Sequence, residues 1–175
     1  MSETTHRIAD LVRHARSLRR DGDVTAAMTV AQTAVRICPQ DDPALLVLVQ
    51  SCMGQLCRDT GEKQDAIEWY RKAVAHVGPD QQAQRAHLLR HVADILFEQG
   101  ALDDAWHQYQ EVIHHYASEQ SLHRANALRG YALVLEGLDQ PSAAREAWNA
   151  ARQLYAQFGI MPGVAECDTH LAQLP

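Results

Sequence analysis

The sequence predicts an all-α fold, an α-solenoid in which pairs of helices repeat along the chain. The residues Gly22, Gly61, Gly100 and Asp139 follow one another at intervals of 39 residues, and the same pattern of small and apolar residues surrounds each of them. Apolar residues recur at helical spacing, whereas the alternation of period two that is typical of strands is nowhere sustained. A repeat that runs through a chain of 175 residues is expected to form a single domain over residues 1–175.

The repeated pattern is clearest around Gly61. The small residue Gly54 precedes this turn by seven residues, and Ala66 and Tyr70 follow it by five and nine residues. Small residues are expected where two helices cross closely, because a larger side chain would overpack the contact at a cost of about 1–3 kcal/mol. The aromatic residue is expected to fill the space between consecutive pairs. The equivalent positions are Ala15, Ala27 and Ala31 around Gly22, Ala93, Ala105 and Tyr109 around Gly100, and Ala132, Ala144 and Trp148 around Asp139.

Breaking and capping residues set the limits of the helices. Before the second unit, Asp42 can cap the next helix and Pro43 can occupy its first position, whereas residues 159–163 break the pattern near the end of the chain. The expected units span residues 4–40, 43–79, 80–117 and 118–158, and a final helix over residues 164–174 is expected to cap the last pair. Within the units the sequence predicts helices over residues 4–20, 24–38, 43–59, 61–79, 101–116, 118–138 and 141–158, with one more between residues 80 and 100.

Over residues 8–158 this pattern resembles the tetratricopeptide repeat (TPR). The usual repeat of that family has about 34 residues, so this chain is similar to a long-repeat variant. It departs from the family pattern at Ala31, where other units have an aromatic residue, and at Asp139, where the other turns have glycine. The resemblance implies a right-handed superhelix of four helix pairs with a C-terminal capping helix. It also implies a protein–protein interaction module whose first helices line a concave binding surface.

The resemblance places the residues that contact a partner at fixed offsets on the first helices. Arginines are frequent among them although the net charge is −6, which favours an acidic peptide or partner helix held by paired bonds from guanidinium to carboxylate. The alternative is a solvated face that is neutralised locally, for example by an Arg90–Asp94 pair. The predicted contact residues are Arg13, Arg16, Arg20, Gln55, Arg58, His87, Arg90, His91, Asp94, Phe97, Asn126, Arg129 and Leu133.

The sequence gives less support to three other kinds of function. The positions of His87, His91 and Asp94 put three possible metal ligands on one helix face, but ten histidines make such pairs common and no cysteine joins them at ligand spacing, so no metal or cofactor is expected. Nucleic acid is not expected as a partner because the chain is net acidic and lacks an aromatic stacking platform. An enzyme is not expected either, since there is no nucleophile elbow and no glycine-rich phosphate loop.

The remaining predictions concern location and assembly. No apolar run approaches the roughly 18 residues of a membrane span, so no membrane association is expected. The four cysteines form no CxxC pair, which is typical of a reducing compartment and favours the cytoplasm. Two alternatives to a peptide receptor stay open: a self-associating scaffold that uses its end faces or its convex surface, and a secretion or assembly chaperone.

Overall fold

The computed structural model describes residues 3–117 and 119–175, which form helices joined by short turns. No strand occurs within these two ranges, so the prediction of an all-α fold is confirmed. The helices are α1 Glu3–Arg20, α2 Val24–Ile37, α3 Pro43–Asp59, α4 Lys63–Ala75, α5 Gln82–Glu98, α6 Leu102–His115, α7 Leu122–Gly137, α8 Pro141–Gln157 and α9 Met161–Gln173.

Capping side chains explain where several of these helices begin. The carboxylate of Asp42 accepts a hydrogen bond from the Leu45 amide at 3.1 Å, and Pro43 follows in the first turn of α3, as the sequence predicted. The hydroxyl of Ser121 accepts from the Arg124 amide at 3.2 Å. Helix α7 therefore begins after Ser121 and not at Ser118, which lies outside the described residues.

Two other predicted boundaries are wrong. Helix α4 was predicted over residues 61–79 but ends at Ala75, where the chain turns before the Gly78-Pro79 breaker. Helix α9 was predicted to start at residue 164 but starts at Met161. Its second residue is Pro162, and a proline is tolerated in the first turn because that position has no helical hydrogen bond to lose. Gly163 lies so close to Tyr155 that an added β-carbon would be 2.7 Å from the ring.

The turns that define the 39-residue period share one backbone conformation. Each turn residue has a positive φ, with values of 87° at Gly22, 83° at Gly61, 77° at Gly100 and 56° at Asp139. The next residue donates its amide to a carbonyl five residues earlier, for example Glu62 to Cys57 at 2.8 Å, which is the Schellman arrangement of a helix end. Glycine is favoured there because it adopts this conformation without strain, and aspartate is one of the few residues that tolerate it.

The chain divides into two compact units, one up to Val92 and one from Ala93 onward. In the first unit α3 is the central helix and contacts α1, α2 and α4. Its backbone approaches α4 closely, since a β-carbon on Gly54 would lie 3.1 Å from the Tyr70 ring. This confirms the predicted close crossing. The buried residues of α3 are Leu45, Leu46, Val47, Val49, Cys52, Met53, Gly54, Leu56 and Cys57.

In the second unit α9 packs on α8 and covers a cluster centred on the fully buried Trp148. Val164 and Cys167 bring the apolar side of α9 into this cluster. The indole of Trp148 donates to the Glu136 carboxylate at 2.5 Å, and the His170 ring stacks on it with centroids 4.3 Å apart. Helix α9 therefore covers the last helix pair, as a capping helix does.

Candidate partner-binding groove

The first unit contains a groove of about 620 Å³ lined mainly by α1, α3 and α5. We call it the first-helix groove, because these are the first helices of their pairs. Its volume lies within the range of pockets that hold ligands of small-molecule size or a short peptide segment. Five of the predicted contact residues line it. They are Arg16, Arg20, Gln55, His87 and His91.

The groove has a basic end. Arg16, Arg19 and Arg20 line it from the last turns of α1. Arg19 forms an ion pair with Asp59, which also accepts a hydrogen bond from the Gln55 amide group at 2.9 Å. Arg20 has no acidic partner within the described parts of the chain, and its side chain is exposed. The basic end therefore retains a guanidinium that can receive a carboxylate from another molecule.

The other end of the groove is apolar. Ala9 of α1, Leu45 and Leu48 of α3, and Leu88 of α5 line it from the N-terminal halves of these helices. About one and a half to two helical turns separate Leu48 from the polar residue Gln55, which is roughly 10 Å at a rise of 1.5 Å per residue. The groove thus presents an apolar surface and a cationic surface about 10 Å apart along α3.

Aromatic rings form one wall of the groove. The His91 ring stacks on Tyr70 with centroids 4.9 Å apart and planes 12° apart, and the His87 ring meets His91 edge-on at 4.8 Å. Burial and then the neighbouring Arg90 charge lower the pKa of His91 to about 2. His91 is therefore neutral at physiological pH and acts in this wall as an aromatic surface.

The metal hypothesis gains no support from this wall. Among the residues that the structure describes, no group of three histidine, cysteine, aspartate or glutamate side chains is placed to hold a metal ion. Asp94, the third residue of the predicted set, belongs to the second unit and accepts a hydrogen bond from the Tyr109 hydroxyl.

Three predicted arginines of the first unit do not line the groove. Arg13 is exposed and pairs with Asp10 at 2.9 Å, one turn earlier on α1. Arg58 and Arg90 are half-buried and also lie outside the groove lining. The first-helix groove is therefore less rich in arginine than the sequence predicted, and its cationic character comes from the end of α1.

The predicted residues of the second unit are engaged within the chain. Arg129 holds Glu166 of α9 by two hydrogen bonds of 2.7 and 2.5 Å, and this guanidinium keeps the pKa of the Glu166 carboxyl below its ordinary value. The Asn126 side chain accepts from the Tyr155 hydroxyl at 2.8 Å. Leu133 packs against the core cluster, and Phe97 is half-buried near the end of α5. For Arg129 the alternative of local neutralisation thus describes the structure.

The first unit contains a second groove, of about 580 Å³, that was not predicted from the sequence. We call it the second-helix groove, because α2 and α4 line it and α3 forms its floor. It brings together Met28, Met53, Cys57 and Trp69 with several polar residues. Trp69 was the available signal, since it is a large apolar residue of α4 that stands outside the predicted core pattern.

None of the helices in residues 3–117 and 119–175 combines the length and apolar character needed to cross a membrane.

The geometry defines a helical-repeat protein of the TPR type: paired helices, a close crossing between them, and first helices that line a groove. Its fold is similar to that of solved TPR-like proteins. A putative kinesin light chain from Podosopora anserina, with nearly identical TPR-like repeats, matches 99% of this chain and 86% of its own at 18% identity and a TM-score of 0.80. Pseudomonas aeruginosa PilF matches 98% and 78% at 16% identity and a TM-score of 0.71. MamA from Desulfovibrio magneticus RS-1 matches 99% and 96% at 15% identity and 0.64.

These likenesses concern the fold alone, because the identities are low. No protein-family model matches the chain, and no curated protein matches it in sequence.

Proposed function

We propose that this protein binds another protein, and that it takes an acidic segment of that partner into the first-helix groove. The observation that carries the proposal is the composition of this groove. An apolar lining formed by Leu45, Leu48 and Leu88 is joined to a basic end where Arg20 has no acidic partner in the described chain. A segment with an apolar side chain and a carboxylate would match both surfaces, the first by burial and the second by charge-assisted hydrogen bonds.

The groove is already formed without a ligand, and this supports the proposed function. Leu45 and Leu88 are buried at the base, and the Arg19–Asp59 pair joins the ends of α1 and α3. A preformed site of this kind limits the entropy lost on binding to that of the partner segment. The proposed function is recognition without catalysis, which is in keeping with the likeness of the fold to a protein with nearly identical TPR-like repeats.

The experiment is a selection from a random peptide library displayed on phage, followed by affinity measurements by fluorescence polarisation. The wild-type protein is expected to enrich peptides that carry Asp or Glu near an apolar residue. The variant Arg16→Glu/Arg20→Glu is expected to bind these peptides about tenfold more weakly or worse, because it removes two attractions and adds two repulsions.

The control is Arg7→Glu/Arg71→Glu, which makes the same change in net charge at exposed positions outside the groove. It should bind the selected peptides like the wild-type protein. An equal loss in both variants would mean that only the overall charge matters. Selection of peptides without acidic residues would also refute the proposal.

A further inference from the structure

The second-helix groove is a further concave surface of the first unit, and it differs in chemistry from the first-helix groove. It lies on a different face of α3: Met53 and Cys57 line it, whereas Cys52 and Gln55 line the first-helix groove. A ligand in one groove therefore leaves the other accessible.

The apolar lining of the second-helix groove is adaptable. It consists of Met53 and Cys57 in the floor and of Met28, Val35 and Trp69 on the sides. Methionine side chains adjust to ligands of different form, and tryptophan is prominent among residues that contribute most to binding energy. The Lys72 ammonium lies 4.6 Å from the centroid of the Trp69 ring, a cation–π contact between neighbouring turns of α4.

The rim of the groove is acidic on the α4 side. Glu62 and Asp65 are exposed there, and neither pairs with a basic side chain in the described residues. Burial, followed by the charge of the neighbouring Glu62 carboxylate, raises the pKa of the Cys57 thiol to about 11, so this thiol stays protonated. The basic rim residue Arg36 lies in the last turn of α2 and donates to the Thr33 hydroxyl at 3.1 Å.

From this arrangement we infer that the second-helix groove is a separate protein-binding site, and that its ligand is a segment with a large apolar side chain flanked by lysine or arginine. The apolar side chain enters between Met28 and Trp69, and the flanking cation meets Glu62 and Asp65. An apolar centre with a polar rim is the general anatomy of a protein interface. Acidic residues at the start of α4 also favour its helix dipole, but that role requires neither the groove nor its methionines. The protein thus joins two partners of opposite charge.

The test uses the full chain and the same random peptide library, with bound phage competed by an excess of acidic peptides from the first selection. Peptides that remain are expected to carry Lys or Arg beside Leu, Met or an aromatic residue. The variant Glu62→Gln/Asp65→Asn should bind them about fivefold more weakly, which corresponds to about 0.5 kcal/mol for each of the two exposed charge pairs. Trp69→Ala should weaken the binding of these peptides about tenfold or more.

Two matched variants separate this site from its surroundings. Asp41→Asn/Glu68→Gln removes two exposed carboxylates outside the groove and should leave the affinity unchanged. Arg16→Glu/Arg20→Glu alters only the first-helix groove and should also bind these peptides normally, so this inference and the proposed function fail separately. Circular dichroism establishes that each variant is folded. Absence of basic peptides after competition, or equal losses in the Glu62/Asp65 and Asp41/Glu68 variants, would overturn the inference.

Discussion

Replacing Gly130 by alanine should destabilise the second unit, although alanine is the better helix former. Gly130 lies within α7, and a β-carbon there would overlap the Tyr109 hydroxyl and lie 2.5 Å from Cζ of the same ring. Tyr109 is almost completely buried, and its hydroxyl donates to Asp94. The ring therefore has little room to move, and any movement weakens that hydrogen bond.

The expected magnitude follows from three contributions. Overpacking a buried contact costs about 1–3 kcal/mol. Loss of the Tyr109 hydrogen bond to the Asp94 carboxylate costs about 1.5–3 kcal/mol. The better helix propensity of alanine offsets about 1 kcal/mol of this loss of unfolding free energy. The net loss of unfolding free energy for Gly130→Ala is therefore expected to be about 1.5–5 kcal/mol, from the balance of these terms.

The assay is urea unfolding followed by circular dichroism and by tryptophan fluorescence. Gly54→Ala serves as the comparison, because its added β-carbon would meet the Tyr70 ring at 3.1 Å, where a shift of a few tenths of an ångström suffices. It should cost at least about 1.5 kcal/mol less than Gly130→Ala, since the helix propensity gain offsets its milder contact. Equal stabilities of Gly130→Ala and the wild-type protein would refute the reasoning, because Tyr109 would then be free to move aside.

Two further predictions concern the first unit. Gly61→Ala should lower the unfolding free energy by about 1–2 kcal/mol, because an alanine at a φ of 83° is strained. Calorimetry measures this loss, and an unchanged melting temperature would contradict the prediction. For His91 the folded-state pKa is depressed, so below pH 6.5 the unfolded chain takes up a proton that the folded chain does not. This group should therefore lower the unfolding free energy by about 1.4 kcal/mol for each pH unit below 6.5. The variant His91→Gln should show a smaller dependence of the unfolding free energy on pH in urea titrations between pH 6.5 and 4.5. An identical dependence in the variant and the wild-type protein would count against the burial of His91 as its cause.

The repeat period and most helix limits could be predicted because they depend on local backbone requirements. A left-handed turn residue leaves a direct mark, as at Gly61 and Gly100. The beginning of α9 could not be read in this way, because Gly163 reflects its contact with Tyr155 and not a break in the helix. A glycine that is needed for close packing and a glycine that ends a helix look alike in a single sequence.

The candidate site was predicted less completely because it depends on which charges meet in space. The offsets of the first helices placed Arg16, Arg20 and Gln55 on one surface, and these three residues line one groove. They could not show that Glu166, 37 residues further along the chain, binds Arg129. The second-helix groove was missed for a related reason, since the resemblance directs attention to the first helices. That the predicted residues bind a partner stays a prediction.

The ring contacts between neighbouring helices determine how freely the repeats could be rearranged. Tyr70 stacks with His91, and Tyr109, at the equivalent position one period later, instead occupies the space left by Gly130. Since His91 and Gly130 are also one period apart, each of these two tyrosines is matched to a residue of the 39-residue repeat that follows it. Duplicating or shuffling whole repeats would break these matches, for example by placing a histidine ring against Tyr109. A lengthened version of this protein would need the aromatic residue and its neighbour to be transferred together across every new junction.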